Sequence, residues 1–293
     1  MLHHDKEEFI KILERTSGQT GFTLRLLEKD YFITLILSHI SNRLSGDLIF
    51  KGGTCLNKIY HSYYRLSEDL DFSLRLSQNG TTRGMRRKAI KPIKESIQSF
   101  AKSLDMNLDN EETAGRNESR QYIYYLVYNS VILNKKETIK LEIGLRFNPI
   151  LHVEIHRVNH KFLHPFTGEP LFDAGVVTCL TLKELVAEKM RAATTRLIAE
   201  PRDFYDLGYL LRAGFDFIDK EYLKLFKKKL AEDNFSTDLK KYSRNLGRTD
   251  EEISGMKSRI EDELFPVLTI KEKDAFDIQK VVDSFNKILK DVK

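Results

Sequence analysis

The sequence predicts an α+β fold for residues 1–178, which include two leading helices, and a helical lobe for residues 179–293. Between residues 47 and 160, short segments alternate apolar and polar residues with a period of two, as half-buried strands do. After residue 178 the apolar residues recur every three or four positions, which is typical of amphipathic helices. A chain of 293 residues, 41% of them hydrophobic, is long enough to bury a sizeable core.

The elements of the first lobe follow from these local patterns. In chain order they are helices at 5–15 and 24–43, a strand and glycine turn in DLIFKGG, a helix in TCLNKIYHSYY, a strand in SEDLDFSLRL, a basic helix at 81–104, an antiparallel hairpin of SRQYIYYLVYNSV and TIKLEIGLRF, and a strand in LHVEIHRVNH. In the second lobe, TLKELVAEKMRAATTRL begins with a capping box, and PRDFYDLGYLLRAG begins with proline and ends with glycine. Both of these segments are therefore predicted to be helices.

Composition excludes several classes of protein. No apolar run approaches the roughly 18–20 residues that cross a bilayer, and the segment MLHHDKEEFIKILERTSG is too acidic for a signal peptide. The two cysteines have no zinc-binding spacing, which favours free thiols in a reducing compartment. We therefore expect a cytoplasmic protein without membrane association, whose net charge of +5 permits a polyanionic partner without requiring one.

The strand SEDLDFSLRL carries the densest group of candidate functional residues. Residues two apart in a strand share a face, so Asp69 and Asp71 lie together while Leu70 and the alternate apolar residues after it face the core. This parity leaves Glu68 outside the pair. The two Cα atoms are about 6.7 Å apart, so the two carboxylates can converge on a hard cation such as Mg²⁺ or Mn²⁺.

A glycine turn precedes this strand. Gly52 and Gly53 allow backbone N–H groups to approach an anion closely, and Thr54 begins a helix whose N-terminus favours phosphate. The alternative is an ordinary glycine turn before a solvated acidic strand. The order strand, turn, helix and acidic strand favours a phosphate cradle next to a metal-binding pair.

This arrangement resembles the signature of the polymerase β-like nucleotidyltransferase superfamily. The segments EKDYFITLIL, FKGGTCLNKIY, RLSEDLDFSL, LVAEKMRAA and RDFYDL stand in the order seen in the AbiEii/AbiGii-type toxins, nucleotidyltransferases of type IV toxin–antitoxin and abortive-infection systems. The resemblance covers residues 28–212, and no motif extends it into the helices after residue 213.

The resemblance implies a mixed nucleotidyltransferase sheet with flanking helices and a helical C-terminal lobe. It also implies an enzyme that transfers a nucleoside monophosphate from an NTP to an acceptor with Mg²⁺ (or Mn²⁺) and releases pyrophosphate. The protein would be the toxin of a pair with a cognate antitoxin. The acceptor would be RNA, with tRNA as the leading candidate.

The family also has a third acidic residue on a strand comparable to TIKLEIGL. Glu142 is the carboxylate on the polar face of that strand, which favours it as a metal ligand or as the base for the incoming hydroxyl. The alternative is an exposed carboxylate paired with Lys140 or Arg146.

Two further motifs lie in the helical lobe. Lys189, in LVAEKMRAA, corresponds to the lysine that contacts the nucleotide phosphates in the family, although a lone helical lysine is more often solvated. Asp203 and Asp206, in RDFYDL, share one helix face, and one of them corresponds to an essential aspartate of the family. Either could hold Lys189 or the nucleotide, and the other could cap the helix.

These interpretations define the predicted sites. The predicted catalytic residues are Asp69, Asp71, Glu142, Lys189, Asp203 and Asp206, of which Asp69, Asp71 and Glu142 are the predicted metal ligands. The predicted nucleotide-binding residues are Lys51, Gly52, Gly53, Thr54, Ser67 and Lys189.

The basic helix is the best candidate for contact with RNA. Its cations are Arg83, Arg86, Arg87, Lys88, Lys91 and Lys94, of which Arg86, Arg87 and Lys91 are the predicted RNA-binding residues. The alternative is an ordinary solvated helix face. Two other functions also stay open, namely a nucleotidyltransferase that modifies a protein or a small molecule, and a non-catalytic protein that binds a nucleotide or a partner.

Overall fold

The computed structural model describes residues 1–77, 82–109 and 114–290. The predicted start of the basic helix, Thr81, lies outside the described residues. The chain divides into two compact units, Met1–Leu180 and Thr181–Lys293. No helix in the described ranges is long and apolar enough to cross a membrane.

A mixed sheet organises the first unit, and the described residues supply eight strands to it. The strands are β1 Leu48–Lys51, β2 Asp69–Leu74, β3 Asn107–Leu108, β4 Gly115–Arg116, β5 Gln121–Asn129, β6 Lys136–Gly144, β7 Glu154–Arg157 and β8 Val176–Cys179. Their order in the sheet is β3-β5-β6-β2-β1-β8-β7, and β4 pairs with β5. The β2–β6 and β1–β8 pairs are parallel, whereas the other pairs are antiparallel.

The hairpin of β5 and β6 confirms the longest predicted strand pair. Both strands have nine residues, and Tyr124 lies opposite Leu141 while Leu126 lies opposite Ile139. All four side chains are buried, because strict alternation places every second residue on the core face.

Helices cover the sheet of the first unit. They are α1 Lys6–Thr20, α2 Leu24–Arg43, the short α3 Gly52–Cys55 and α4 Arg83–Lys102. The α2 helix begins at the cap residue Thr23, whose hydroxyl accepts a hydrogen bond from the Leu26 N–H. Nearly every side chain of its first half is buried, including the charged residues Glu28, Lys29 and Asp30. A buried helix that carries charges requires partners inside the unit.

The helix predicted in TCLNKIYHSYY ends before its predicted last residue, Tyr64. It begins as α3 Gly52–Cys55 and continues as a π-helix over Leu56–Tyr60. The Asn57 side chain accepts a hydrogen bond from the Tyr63 N–H, and Tyr63 has a positive φ of 63°. The buried Lys58 pairs with Asp30 at 2.7 Å. The backbone leaves helical geometry at His61, and these contacts fix the segments on either side of that point.

The second unit is helical in its described residues. Its helices are α5 Leu182–Thr195, α6 Pro201–Arg212, α7 Lys220–Glu232, α8 Asp250–Lys257, α9 Ile260–Glu263, α10 Ile270–Ala275 and α11 Ile278–Lys290. Leu210, Phe226 and Phe285 contribute to its buried core. The sheet of the first unit and the helices of the second confirm the predicted α+β fold class.

A buried ion cluster fixes α7 to α5 within this unit. The Lys229 ammonium lies 2.7 Å from Glu184 and 3.2 Å from Glu188, and Glu232 approaches from its own helix. Burial alone would lower the pKa of Lys229, but the carboxylates of Glu188, Glu184 and Glu232 outweigh it and raise the pKa. The lysine therefore stays charged inside the core.

Candidate active site

The glycine turn lies between β1 and β2 and packs against the acidic strand. Gly52 has a φ of +77°, and a Cβ atom at this position would overlap the Asp71 carboxylate. A Cβ atom on Gly53 would lie 2.7 Å from the Arg65 guanidinium and 3.3 Å from the Ser67 hydroxyl. Both positions are glycine because neighbouring side chains fill the space that a side chain would need.

Thr54 connects this turn to β2. Its hydroxyl donates a hydrogen bond to the Asp69 carbonyl, and the residue is buried. The Thr54 side chain therefore holds the acidic strand in place. The predicted nucleotide contact of Thr54 consequently depends on its backbone N–H.

The strand register brings the predicted acidic residues together. β2 lies between β1 and β6, and Asp71 pairs with Lys51 on one side and with Glu142 on the other. Asp69 pairs with Lys140. Register partners point to the same face of a sheet, so three carboxylates and two lysines share one face. The buried residues of β2 alternate with this polar set, as the parity of the sequence predicted.

Glu68 lies outside this group, also as predicted from parity. Its carboxylate accepts a hydrogen bond from the Lys29 ammonium at 3.2 Å. Glu68 is thus one of the partners that the buried charges of α2 require.

The charges on the polar face of β2 are unevenly balanced. Lys140 and Glu142 form an ion pair at 2.8 Å. Burial and the Glu142 carboxylate raise the pKa of Asp71 to about 6, although Lys51 and Lys140 act in the opposite direction. Burial alone would raise the pKa of Glu142, but its bond to Lys140 lowers the pKa. The protonated form of Asp71 is therefore favoured more than that of an ordinary exposed aspartate.

The donor atoms at this face suit a hard divalent cation. Asp69, Asp71 and Glu142 offer only oxygen ligands, which Mg²⁺ and Mn²⁺ prefer. Within the described residues, however, one donor atom from each of these three side chains cannot be chosen so that the three atoms lie within 4.8 Å of one another. The Glu142 carboxylate instead contacts the Lys140 ammonium at 2.8 Å.

The second unit contains a separate cluster around Lys189. The ammonium lies 2.9 Å from an Asp203 oxygen and 2.8 Å from an Asp206 oxygen, and both aspartates are fully buried on α6. Arg196 also approaches Asp203, at 3.4 Å. Both aspartates hold Lys189, and the cap position of α6 belongs to Glu200. Among the alternatives left open by the sequence, the structure therefore favours the lysine contact for both.

The basic helix α4 departs from its prediction at one residue. Arg86 is buried, and its guanidinium donates a hydrogen bond to the Glu118 carbonyl at 3.1 Å. Arg86 is therefore removed from the predicted RNA-binding set. The cations exposed on α4 are Arg83, Arg87, Lys88, Lys91, Lys94 and, in its last turn, Lys102.

Sequence reasoning missed Arg65 as part of this region. The residue is buried, its guanidinium donates to the Leu66 carbonyl at 2.8 Å, and it packs against Gly53. Its place in RLSEDLDFSL, directly before the acidic strand, was the available signal. A buried guanidinium behind the turn adds positive potential where an anion would bind.

A glycine turn that leads into an Asp-x-Asp strand of a mixed sheet is the arrangement of a nucleotidyltransferase. The family model described as the nucleotidyl transferase AbiEii toxin of type IV toxin–antitoxin systems matches residues 35–288. The chain belongs to this family, which confirms the resemblance seen in the sequence.

Two solved structures show the same fold. MenT4, a nucleotidyltransferase toxin from Mycobacterium tuberculosis, is 17% identical with a TM-score of 0.61, and the match covers 97% of this chain and 90% of that one. JHP933 from Helicobacter pylori is 16% identical with a TM-score of 0.53, and the match covers 92% of each chain. A comparison with curated proteins gives no significant match.

Proposed function

We propose that this nucleotidyltransferase toxin transfers a nucleoside monophosphate from an NTP to an RNA acceptor, with tRNA as the leading candidate. The observation that carries the proposal is the register of β1, β2 and β6. It places Asp71 between Lys51 and Glu142, with Asp69 on the same face and the glycine turn directly behind. A cognate antitoxin is the partner that membership of the family implies.

Asp69 and Asp71, assisted by Glu142, would hold Mg²⁺ or Mn²⁺. A bound ion of this kind neutralises phosphate charge and makes a coordinated hydroxyl more acidic. The raised pKa of Asp71 supports the assignment, because a carboxylate crowded by like charges gains most from a cation.

The residues of the chain have separate roles in the proposed reaction. The backbone N–H groups of Gly53 and Thr54 would donate to phosphate oxygens, and Lys51 would supply positive charge beside them. An oxygen of the acceptor hydroxyl forms a bond to the α-phosphorus, and the bond from that phosphorus to the bridging oxygen breaks to release pyrophosphate. A Glu142 carboxylate oxygen would accept the hydroxyl proton once its ion pair with Lys140 opens. The proposed contact of Lys189 with the nucleotide stays a prediction.

The charge distribution supports RNA as the acceptor. Six cations are exposed on α4, and the chain as a whole has a net charge of +5. A small-molecule acceptor would need no extended basic surface.

Label transfer tests this proposal. The protein is incubated with total RNA, Mg²⁺ and each α-labelled NTP in turn, and we expect label in RNA. The variant Asp71→Asn should give only background, whereas Asp173→Asn, at an exposed aspartate of the same unit, should match the wild type. Label that remains in protein after nuclease treatment, or transfer that survives in Asp71→Asn, would overturn the proposal.

A further inference from the structure

A cluster of two histidines and an aspartate lies outside the proposed active site. His3 and His4 belong to the single turn Leu2–His4 before α1, and Asp105 belongs to the turn that follows α4. One donor atom from each of the three residues can be chosen so that all three atoms lie within 4.8 Å of one another. The His3 Nε2 and the His4 Nε2 lie 3.4 and 2.6 Å, respectively, from the same Asp105 oxygen.

Tyr31 fixes the orientation of the His3 ring. The His3 Nδ1 lies 2.9 Å from the hydroxyl of Tyr31, which is buried. A ring held through one nitrogen in this way is typical of a histidine that ligates a metal through the other.

The second nitrogen of His3 has no hydrogen bond in the described part of the chain. The Nε2 is buried, and it faces the Asp105 carboxylate without making a hydrogen bond to it. In the tautomer that donates its Nδ1–H to Tyr31, the Nε2 lone pair is available to ligate a metal.

The distances agree with a tetrahedral metal. Bonds of about 2.0–2.2 Å from a tetrahedral ion place its ligand atoms about 3.3–3.6 Å apart. The separation between His3 Nε2 and the Asp105 oxygen already matches this value. The His4 contact is shorter, but the His4 and Asp105 side chains are 57% and 52% exposed and can separate.

We propose that His3, His4 and Asp105 bind Zn²⁺, or a similar late first-row divalent ion, with water in the fourth position. Two imidazole nitrogens and one carboxylate suit zinc, whereas Mg²⁺ prefers oxygen ligands alone. The site is thus chemically distinct from the carboxylate set on β2 and β6. It would join two segments that are 101 residues apart in the sequence, and so stabilise the first unit.

Zinc titration by calorimetry tests the proposal. The metal-free protein is titrated with ZnCl₂ in excess Mg²⁺, and the number of zinc sites is measured. Any zinc that binds at the acidic strand would bind in every variant used, so the loss of one site identifies the histidine cluster. We expect the exposed-site variants Asp105→Asn and His4→Gln to lose one site, or to bind it at least about tenfold more weakly. Tyr31→Phe should weaken that site by about 10–100-fold through loss of the ring's anchor.

His156→Gln is the matched control, because His156 also lies 3.0 Å from an exposed carboxylate, that of Glu154. The described residues do not add a third donor to that pair, so the variant should retain the wild-type stoichiometry. Zinc should also raise the melting temperature of the wild type more than that of Asp105→Asn. Equal zinc stoichiometry and affinity in the wild type and Asp105→Asn, or no zinc site in the wild type, would overturn the proposal.

Discussion

Asp71 is a residue of the acidic strand whose ionisation is opposed by burial and by neighbouring carboxylates. It is flanked by Glu142 in the next strand and by Asp69 on its own strand, and it is partly withdrawn from water. Its raised pKa means that the folded protein binds this proton more tightly than the unfolded chain does. Ionisation of Asp71 therefore destabilises the metal-free fold as the pH rises from about 4 to about 6, and the effect is complete above that range.

Asp71→Asn should abolish nucleotidyl transfer and stabilise the metal-free protein. Without the buried negative charge, we expect the melting temperature in EDTA to exceed that of the wild type at pH 8 by a few degrees, since about 1 kcal/mol corresponds to about 2–4 °C. The difference should shrink toward pH 4, and Mg²⁺ should raise the melting temperature of the wild type alone. A variant that melts below the wild type at pH 8 would contradict this account of Asp71.

Lys189 presents the opposite case, because it neutralises two buried carboxylates. Its side chain is 14% exposed, and both of its aspartate partners are fully buried. Lys189→Met removes the nearest positive charge from two buried carboxylates, of which Asp203 keeps only the longer contact with Arg196 at 3.4 Å. We therefore expect the unfolding free energy to fall by about 3 kcal/mol or more. Thermal and urea unfolding of the full chain would measure this loss.

Lys183→Met is the control on the same helix. Lys183 pairs with Asp219 at 3.0 Å, but both side chains are roughly 40% exposed, and such surface pairs contribute less than about 1 kcal/mol. Equal destabilisation by the two variants would show that Lys189 is not a buried counter-ion.

Much of the placement of individual residues could be predicted from the periodicity of apolar residues in the sequence. Parity alone separated Asp69 and Asp71 from Glu68, since only one register buries Leu70 and Phe72. The burial of Arg86 could also have been predicted, because it lies four and seven residues before Ile90 and Ile93 on the apolar stripe of α4. The Lys140–Glu142 ion pair was one of two alternatives, and only the side-chain positions decide between them.

At the scale of elements, the candidate site depends most on the glycine turn between β1 and β2. In Gly52→Ala, the alanine must adopt a left-handed backbone conformation, which costs a non-glycine residue about 1–2 kcal/mol. Its methyl group would also occupy the space of the Asp71 carboxylate. We expect this variant to lower the melting temperature and to eliminate transfer, since the methyl group must displace Asp71. Circular dichroism melts and label transfer on one preparation would measure both effects.

Gly18→Ala, within α1, is the corresponding control. No atom would lie within 4 Å of the added methyl group, and alanine in a helix is favoured over glycine by about 0.5–1 kcal/mol. This control should be as stable as the wild type or more so, and fully active. Wild-type activity in Gly52→Ala would contradict the packing described for the turn.

Long elements were predictable, whereas short ones were not. The hairpin of β5 and β6 and the helices α2, α4, α5 and α6 have enough residues for their periodicity to be read. The strands β3, β4 and β8 have between two and four residues, and only their pairing with β5, or with β1 and β7, defines them. Such strands are set by tertiary contacts, for which a local pattern carries no signal.

At the scale of the whole molecule, the positive charge predicts salt-dependent binding to RNA. Replacing Arg87, Lys88 and Lys91 by glutamine should reduce the slope of log affinity against log salt by about two to three, since each phosphate contact contributes about 0.7–0.9. A matched replacement of Lys224, Lys227 and Lys228, which are exposed on α7, removes the same charge elsewhere. Fluorescence anisotropy with labelled tRNA over a salt series would measure both slopes.

NTP binding should be unchanged in both triple variants, because neither alters the glycine turn or the acidic strand. If the α4 and α7 variants lose the same slope, net charge alone governs binding and α4 is not a specific RNA surface.

The position of β2 between β1 and β6 also determines when the nascent chain can complete the proposed active site. The strand that carries Asp69 and Asp71 is bordered by β6, which ends at Gly144. A ribosome releases its product from the N-terminus onward, so both aspartates emerge well before their neighbouring strand has been translated. The proposed active site is consequently incomplete on the ribosome until translation has passed residue 144.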